Sequence, residues 1–241
     1  MTQINIGAND VEIVGDRFLL VPKARLNYFP HIGCIFIHIP KTAGTSVSAA
    51  LAQIDEYLRL DGVTPKFALP ARPHYKHAKA IHYLENMEKD IWDNAFKFCV
   101  VRNPFEQMVS SYHWWTQLAP RFHDHRKNAE LVISLGSFEA YINHDLGATC
   151  INECKGESEH WFLGHNNEDL TDFVVQSENL DAMFEHIKRF VPSMPRGVKI
   201  EQKNATQRRH YSSYYNDDVA HKVGQRFSYI MERFGYRFTT G

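Results

Sequence analysis

The segment Pro40 to Ser46 (PKTAGTS) has the residue types of an anion-binding loop. It follows the apolar, strand-like run Cys34 to Ile39 and precedes a helical pattern of apolar residues. In such a loop the backbone N–H groups converge at a helix N-terminus, where the helix dipole favours negative charge. Lys41 adds a full positive charge, and hydroxyl donors are available on Thr42, Thr45 and Ser46. The simpler interpretation is a turn in which one of these hydroxyls only caps the helix.

A second polar segment follows the next strand-like run, Phe96 to Val101. Arg102 lies at the carboxyl end of this run, and Ser110 lies about two helical turns further along. The residues between them suit a capping box at a helix start, with Asn103 at the N-cap, Pro104 at N1 and Glu106 at N3. An Arg fork with a hydroxyl beside a helix start suits a phosphate monoester. The simpler interpretation is a surface Arg and a Ser inside a helix.

Strand-like runs alternate with helical patterns along the chain. The runs are Cys34 to Ile39, Phe96 to Val101, Phe173 to Gln176 and Val198 to Glu201. Apolar residues at helical spacing cover Val47 to Ile54, Pro104 to Leu118, Leu180 to Phe190 and Val219 to Phe234, the last ending at Gly235. This alternation predicts an α/β fold with a mainly parallel sheet flanked by helices. Ligands of such sheets bind beyond the carboxyl ends of the strands, where both polar segments lie.

Composition indicates one soluble globular domain over residues 1–241, because 44% of the residues are hydrophobic and 23% are charged. The 27 basic and 28 acidic residues leave a formal net charge of -1. No global field therefore attracts nucleic acid or an anionic membrane, and an anion must be held by a local cluster. Met1 to Asp10 lacks the basic and apolar regions of a signal peptide, and no membrane span is predicted. A cytoplasmic location is expected.

The four cysteines do not form a scaffold. Cys34 and Cys99 lie in strand-like runs and are expected to be small core residues. Cys150 and Cys154 could pair locally in an oxidising compartment, but their spacing matches no standard zinc pattern. No metal site is predicted.

Two anion sites at two strand ends indicate a ligand with phosphates at two separated places. FIHIPKTAGTS (Phe36 to Ser46) resembles the 5′-phosphosulfate loop of the sulfotransferases that use 3′-phosphoadenosine 5′-phosphosulfate (PAPS). FCVVRNPFEQMVSSY (Phe98 to Tyr112) resembles their 3′-phosphate segment. The differences are Ala43, where a Gly is common, and Gln107, where an Arg is common.

Three further segments resemble the carbohydrate-type branch of that family, which includes the heparan and chondroitin sulfotransferases. They are DFVVQSENL (Asp172 to Leu180), RRHYSSYYNDD (Arg208 to Asp218) and RFGYRF (Arg233 to Phe238). All pieces run in the family's order from about Gly33 to Phe238. The resemblance implies the P-loop-NTPase-like sheet of the sulfotransferase fold.

The resemblance also implies an activity: in-line, metal-independent transfer of a sulfuryl group from PAPS to an acceptor hydroxyl, which releases adenosine 3′,5′-bisphosphate (PAP). The acceptor is expected to be a carbohydrate or a small molecule. Lys41 is expected at the leaving oxygen. The 5′-phosphate would be held by the loop, through Lys41, Thr42, Ala43, Gly44, Thr45 and Ser46. Arg102 and Ser110 would hold the 3′-phosphate, and Arg208 or Arg209 would close over the nucleotide.

An acceptor hydroxyl needs a general base with a pKa near neutrality. In the resembled branch a His from the region between the two phosphate segments serves as the general base, and His77 matches that residue best. His74 and His82 are rivals, and Glu178 is an acidic alternative. His38, inside the first strand-like run, is expected to be a hydrogen-bonded core residue, and its place before the loop keeps it as a further candidate. The simpler interpretation of His77 is a helix cap or a solvated helix face.

Acceptor specificity is expected to lie in irregular segments. Residues 119–130 are predicted to form an acceptor loop, and residues 150–168 are similarly irregular. Three tryptophans could stack on sugar rings or belong to the core: Trp114, Trp115 and Trp161.

Two other functions compete with this one. A P-loop kinase would need GxxxxGK[ST], in which the Lys follows the Gly, and here Lys41 precedes Gly44. A non-catalytic protein that binds PAPS or PAP would keep Lys41 and Arg102 but would need no base.

Overall fold

The computed structural model describes residues 27–69, 76–148, 158–190 and 209–241. The predicted strand Val198 to Glu201, the pair Cys150 and Cys154, and the candidates His74 and Arg208 lie outside these ranges. The extent of one domain over residues 1–241 therefore stays a prediction.

The described sheet has four strands in the order β1-β2-β3-β4. They are β1 (Tyr28–Phe29), β2 (Cys34–Ile37), β3 (Phe96–Val101) and β4 (Phe173–Gln176). β2 pairs parallel with β3 and β3 pairs parallel with β4, whereas β1 is antiparallel to β2. Three predicted strands are confirmed, although β2 ends two residues early, at Ile37. β1 was not predicted, because two residues are too few to show a period.

The α-helices of the described residues alternate with these strands. They are α1 (Gly44–Leu60), α2 (Ala80–Asn86), α3 (Lys89–Asn94), α4 (Pro104–His113), α5 (Arg126–Ser134), α6 (Phe138–Asn143), α7 (Asp145–Ala148), α8 (Leu180–Phe190), α9 (Asp217–Arg226) and α10 (Ser228–Phe234). None of the helices in these ranges is long and apolar enough to cross a membrane.

Side chains of alternate strand residues enter two different cores, as the period of two in a strand requires. Phe36 and Phe98 face a core that includes Leu51 of α1 and Phe184 of α8. Ile35, Ile37, Cys99 and Val101 face a second core, which includes residues of α2, α3 and α10. The sheet is therefore buried on both faces between helical layers, and the predicted α/β architecture is confirmed. Cys34 and Cys99 are buried, as expected.

Three predicted elements differ from the structure. The helix predicted to reach Leu118 changes at its end into a π-helix, Trp114–Leu118. The last predicted helix is broken at Phe227 into α9 and α10, and α10 ends at Gly235, whose φ of 70° gives the predicted C-terminal stop. The predicted loop over residues 119–130 contains two 3-10 turns and the start of α5. Apolar patterns predicted the helical segments that reach Leu118 and Phe234 but not the local changes in their hydrogen bonding, and the helical turns within residues 119–130 were not predicted.

Candidate active site

The loop between β2 and α1 carries a row of backbone N–H donors. Lys41 and Ala43 have φ angles of 64° and 70°, so two residues of this turn are left-handed. Within the described ranges, no hydrogen bond engages the backbone N–H groups of Thr42, Ala43, Gly44 or Thr45. The first N–H groups of a helix have no partner inside the helix, and left-handed turns make successive N–H groups converge. The loop therefore has the donor set of an anion site.

Two buried hydrogen bonds hold this loop in place. The Thr42 hydroxyl, which is fully buried, donates to the carbonyl oxygen of Ile39 at 2.9 Å. The Gln107 amide, also buried, donates from α4 to the carbonyl oxygen of Pro40 at 2.9 Å. Gln107, which differs from the common family residue, thus orders the loop. The hydroxyl hydrogen of Thr42 is used inside the protein, which leaves its backbone N–H for a ligand.

Gly44 lies directly against the imidazole ring of His38. A Cβ at residue 44 would lie 2.1 Å from Nε2 of His38, far inside van der Waals contact. His38 is 2% exposed, and Phe36 packs against its ring with a centroid distance of 5.3 Å. Only glycine fits at position 44, and His38 is the core residue that the sequence predicts.

Ala43 adopts a conformation that glycine adopts at lower cost, and this leads to a first prediction. Ala43→Gly is expected to raise the free energy of unfolding by about 1 kcal/mol, because an L-residue in the left-handed region is strained. Denaturant titration measures the change. The matched control is Ala52→Gly in the interior of α1, which is expected to lower the same quantity by about 1 kcal/mol. An equal decrease in the free energy of unfolding of both variants would contradict strain at Ala43.

Arg102 lies beside the loop at the carboxyl end of β3. Its Nε and Nη2 donate to one carboxylate oxygen of Glu106, at 3.1 and 2.8 Å, and its Nη1 lies 3.4 Å from the carbonyl oxygen of Lys41. The side chain of Arg102 is 20% exposed. Ser110 follows on α4 and is partly buried. The two predicted anion segments therefore meet at one edge of the sheet.

The capping box predicted at the start of α4 is wrong in one part. Asn103 is the N-cap and accepts from the Phe105 N–H at 3.0 Å, and Pro104 is the first helical residue, as predicted. Glu106 binds Arg102 instead of reaching back to the Asn103 N–H. That N–H donates to Glu178 at 3.2 Å. The carboxylate of Glu178, which is distant in sequence, thus takes the place predicted for Glu106 at the Asn103 N–H.

Glu178, the acidic alternative for the base, has hydrogen bonds to both of its oxygens. One accepts from the Asn103 N–H, and the other accepts from the Tyr236 hydroxyl at 2.8 Å. Burial and this carboxylate raise the pKa of Tyr236. Glu178 therefore connects the end of β4 with α4 and the C-terminal segment.

His77 lies next to the loop, partly exposed, with its ring edge-on to His38 at a centroid distance of 4.6 Å. Its Nδ1 lies 2.9 Å from the carbonyl oxygen of His38. Burial is the main cause that lowers the pKa of His77; the bond to His38 opposes it, the ammonium groups of Lys76 and Lys41 add to it, and the result is a pKa of about 4. The rival His82 lies on α2. His38 lies against Gly44 of the loop, and His77 packs against His38.

An aromatic group adjoins Lys41 on the side of α4. Nζ of Lys41 lies 6.0 Å from the ring centroid of Trp114, which is partly exposed. His125 packs edge-on against Trp114 at 5.1 Å, and Phe122, which is 54% exposed, lies nearly parallel to it at 6.5 Å. Trp115 and Trp161 are each 1% exposed, which makes them core residues.

These residues fit a ligand with two anionic groups: backbone donors and Lys41 for one, and Arg102 for the other. A family profile described as Sulfotransferase family matches residues 25–237. The chain belongs to the sulfotransferase family. No curated protein and no solved structure matches the chain significantly.

This sulfotransferase is a PAPS-dependent enzyme, with PAPS as donor and PAP as product. The loop and Arg102 both lie inside the matched range. Arg209 is exposed. Sequence reasoning missed Lys76, whose Nζ lies 3.5 Å from the Thr45 hydroxyl, and also the loop contact of Gln107. Lys76 belongs to no motif that reveals its position, and Gln107, although it lies in the 3′-phosphate segment, contacts a loop 67 residues away that the segment does not reveal.

Proposed function

We propose that this sulfotransferase moves the sulfuryl group of PAPS to a hydroxyl of a carbohydrate or small-molecule acceptor, with His77 as the general base. The observation that carries this proposal is the contact between Nδ1 of His77 and the carbonyl oxygen of His38, at 2.9 Å. A carbonyl oxygen only accepts, so Nδ1 holds the hydrogen and the neutral ring has its lone pair at Nε2. This is the tautomer that a base beside the loop needs.

The loop would hold the 5′ end of the donor. The N–H groups of Thr42, Ala43, Gly44 and Thr45 and the first-turn residue Ser46 would bind the 5′-phosphate. Lys41 would bind the oxygen that leaves. Arg102 and Ser110 would bind the 3′-phosphate, and closure by Arg208 or Arg209 stays a prediction. Fixed donors aimed at developing charge lower the barrier without reorganisation of solvent.

In the proposed reaction the acceptor oxygen forms a bond to sulfur, and the bond between sulfur and the 5′-phosphate oxygen breaks. The electron pair of the broken bond stays on that phosphate oxygen, beside Lys41. The acceptor proton goes to Nε2 of His77. The products are the sulfate ester, PAP and protonated His77, so charge and atoms balance.

The aromatic group of Trp114, Phe122 and His125 supports an acceptor site on the side of the loop where Lys41 lies. Trp114 contacts Lys41, so a molecule that packs on this group would lie near the sulfuryl group. Phe122 is one of the few large apolar side chains exposed among the described residues. Aromatic faces pack on sugar rings and on other flat apolar groups alike.

Calorimetric titration with PAP, 5′-AMP and ATP–magnesium tests the donor site. The wild-type protein is expected to bind PAP and to bind 5′-AMP, which lacks the 3′-phosphate, much more weakly. Arg102→Met is expected to weaken PAP binding by about tenfold or more and to leave 5′-AMP binding nearly unchanged, because it removes a charged donor from the 3′-phosphate.

Arg59→Met is the matched control. Arg59 also donates Nε and Nη2 to a nearby glutamate, Glu56, but lies at the far end of α1. It is expected to leave PAP binding unchanged. A wild-type protein that binds no PAP, or that prefers ATP–magnesium, would refute the proposed donor site.

A further inference from the structure

Lys76 reaches the phosphate loop from the turn before α2. Its Nζ lies 3.5 Å from the hydroxyl of Thr45, a residue in the first turn of α1. Lys76 immediately precedes His77 in the chain. A second ammonium group therefore lies at the same helix start as the row of backbone donors.

A buried residue fixes the backbone at this position. Asn27, 2% exposed, donates from Nδ2 to the carbonyl oxygen of Lys76 at 2.8 Å and to the Tyr83 hydroxyl at 2.7 Å. Tyr83 is fully buried in α2. The residue before β1 thus holds the turn that contains Lys76 and His77 against the body of the protein.

Lys41 and Lys76 surround the loop from two sides. Lys41 contacts Trp114 after α4, whereas Lys76 approaches from the turn before α2. Burial is the main cause that lowers the pKa of His38 and of His77, and the charges of both lysines lower each pKa as well. Two ammonium groups, a histidine pair and four backbone donors therefore converge on one small region. Such convergence of positive charge suits a ligand group with more than one negative charge.

We propose that Lys76 is a second cationic residue of the 5′-phosphosulfate site, which binds the 5′ end of the donor opposite Lys41. The inference rests on the proposed function of the loop and adds a residue to it. Lys41 faces the oxygen that leaves, and Lys76 faces the oxygens on the side of Thr45 and His77. Lys76 forms no covalent bond; it balances negative charge while the sulfuryl group moves.

A ligand comparison tests this role. Lys76→Met is expected to weaken PAP binding by about tenfold, because a charged donor to the 5′-phosphate is lost. Binding of 3′-AMP, which lacks the 5′-phosphate, is expected to change by less than about twofold, since that ligand offers Lys76 no partner. Lys76→Arg keeps the charge and is expected to retain PAP affinity within about threefold. Calorimetry measures these three affinities, and thermal unfolding checks that each variant is folded. If Lys76→Met does not fold, Lys76→Gln takes its place.

Lys79→Met is the matched control. Lys79 lies three residues further along, and its Nζ packs over the Trp161 ring at 5.4 Å. Its replacement is expected to leave PAP binding unchanged. A residue that only supports the fold would weaken PAP and 3′-AMP alike, so equal losses for both ligands would overturn the inference. Unchanged PAP affinity in Lys76→Met would overturn it as well. Failure of the wild-type protein to bind PAP would instead refute the donor site itself.

Discussion

Gly44→Ala is expected to abolish measurable PAP binding and to lower the free energy of unfolding by about 1–3 kcal/mol. The new Cβ would lie 2.1 Å from Nε2 of His38. The His38 ring has no room to move, because Phe36 and His77 pack against it and only 2% of the residue is exposed. The loop must therefore shift. A displacement of about 1 Å in a binding constellation can cost a factor of 100.

Two comparisons isolate this collision. Gly224→Ala makes the same change inside α9, where the new Cβ would lie 3.8 Å from Sδ of Met231 and have room. It is expected to raise the free energy of unfolding by up to about 1 kcal/mol, because Ala favours the helix. In the double variant His38→Ser with Gly44→Ala the ring is gone, so the loss of stability is expected to be smaller than the sum of the single losses. Calorimetry and denaturant titration measure both quantities, and normal PAP affinity in Gly44→Ala would contradict the close fit.

The local parts of the site could be predicted from the sequence because short segments determine them. The turn Pro40 to Ala43 follows a continuous apolar run, and Gly44 begins a helix whose apolar spacing continues to Leu58. Asn103 and Pro104 mark the start of α4 by residue type alone, and the structure confirms both positions. Strand ends and helix starts bring such residues to one edge of a parallel sheet, whatever the rest of the chain does.

Contacts between distant segments could not be predicted in the same way. The Asn103 N–H is bound by Glu178, 75 residues away, and the loop carbonyl of Pro40 is bound by Gln107, 67 residues away. Lys76 reaches Thr45 across 31 residues. Each of these partners is decided by the packing of whole elements, and a local pattern such as the predicted capping box with Glu106 does not reveal it.

His77→Gln is expected to lower kcat for sulfuryl transfer by about 10²–10⁴-fold, the usual contribution of a general base. Binding of PAP is expected to remain within about threefold, because the loop donors and Lys41 are unchanged. Turnover with PAPS and a responsive acceptor measures the first quantity, and calorimetry measures the second. His165→Gln is the matched control, since His165 is exposed and pairs with Glu85 away from the loop. Full turnover in His77→Gln, or a loss in His82→Gln alone, would remove His77 from the mechanism.

The pH dependence gives the same hypothesis a second, independent test. The pKa of His77 is lowered to about 4, so the base stays neutral well below the ordinary histidine pKa. The acid limb of kcat/KM for PAPS, which reports the free enzyme, is expected near pH 4 and not near the ordinary value of about 6.5. A general base works best with a pKa near neutrality, and bound PAPS, an anion, moves the pKa of His77 in that direction because it favours the protonated ring; the limb of kcat is therefore expected at a higher pH than that of kcat/KM.

The free energy of unfolding is also expected to depend on the protonation of His77. Because its folded-state pKa is lowered, the contribution of His77 is fully present above about pH 6.5 and is lost as the pH falls towards 4. The unfolded chain binds a proton in this window while the folded protein does not. Denaturant titration at several pH values should show a shallower loss for His77→Gln than for the wild-type protein. Equal slopes, together with a kcat/KM limb near pH 6.5, would mean that His77 is ordinarily solvated and that the base lies elsewhere.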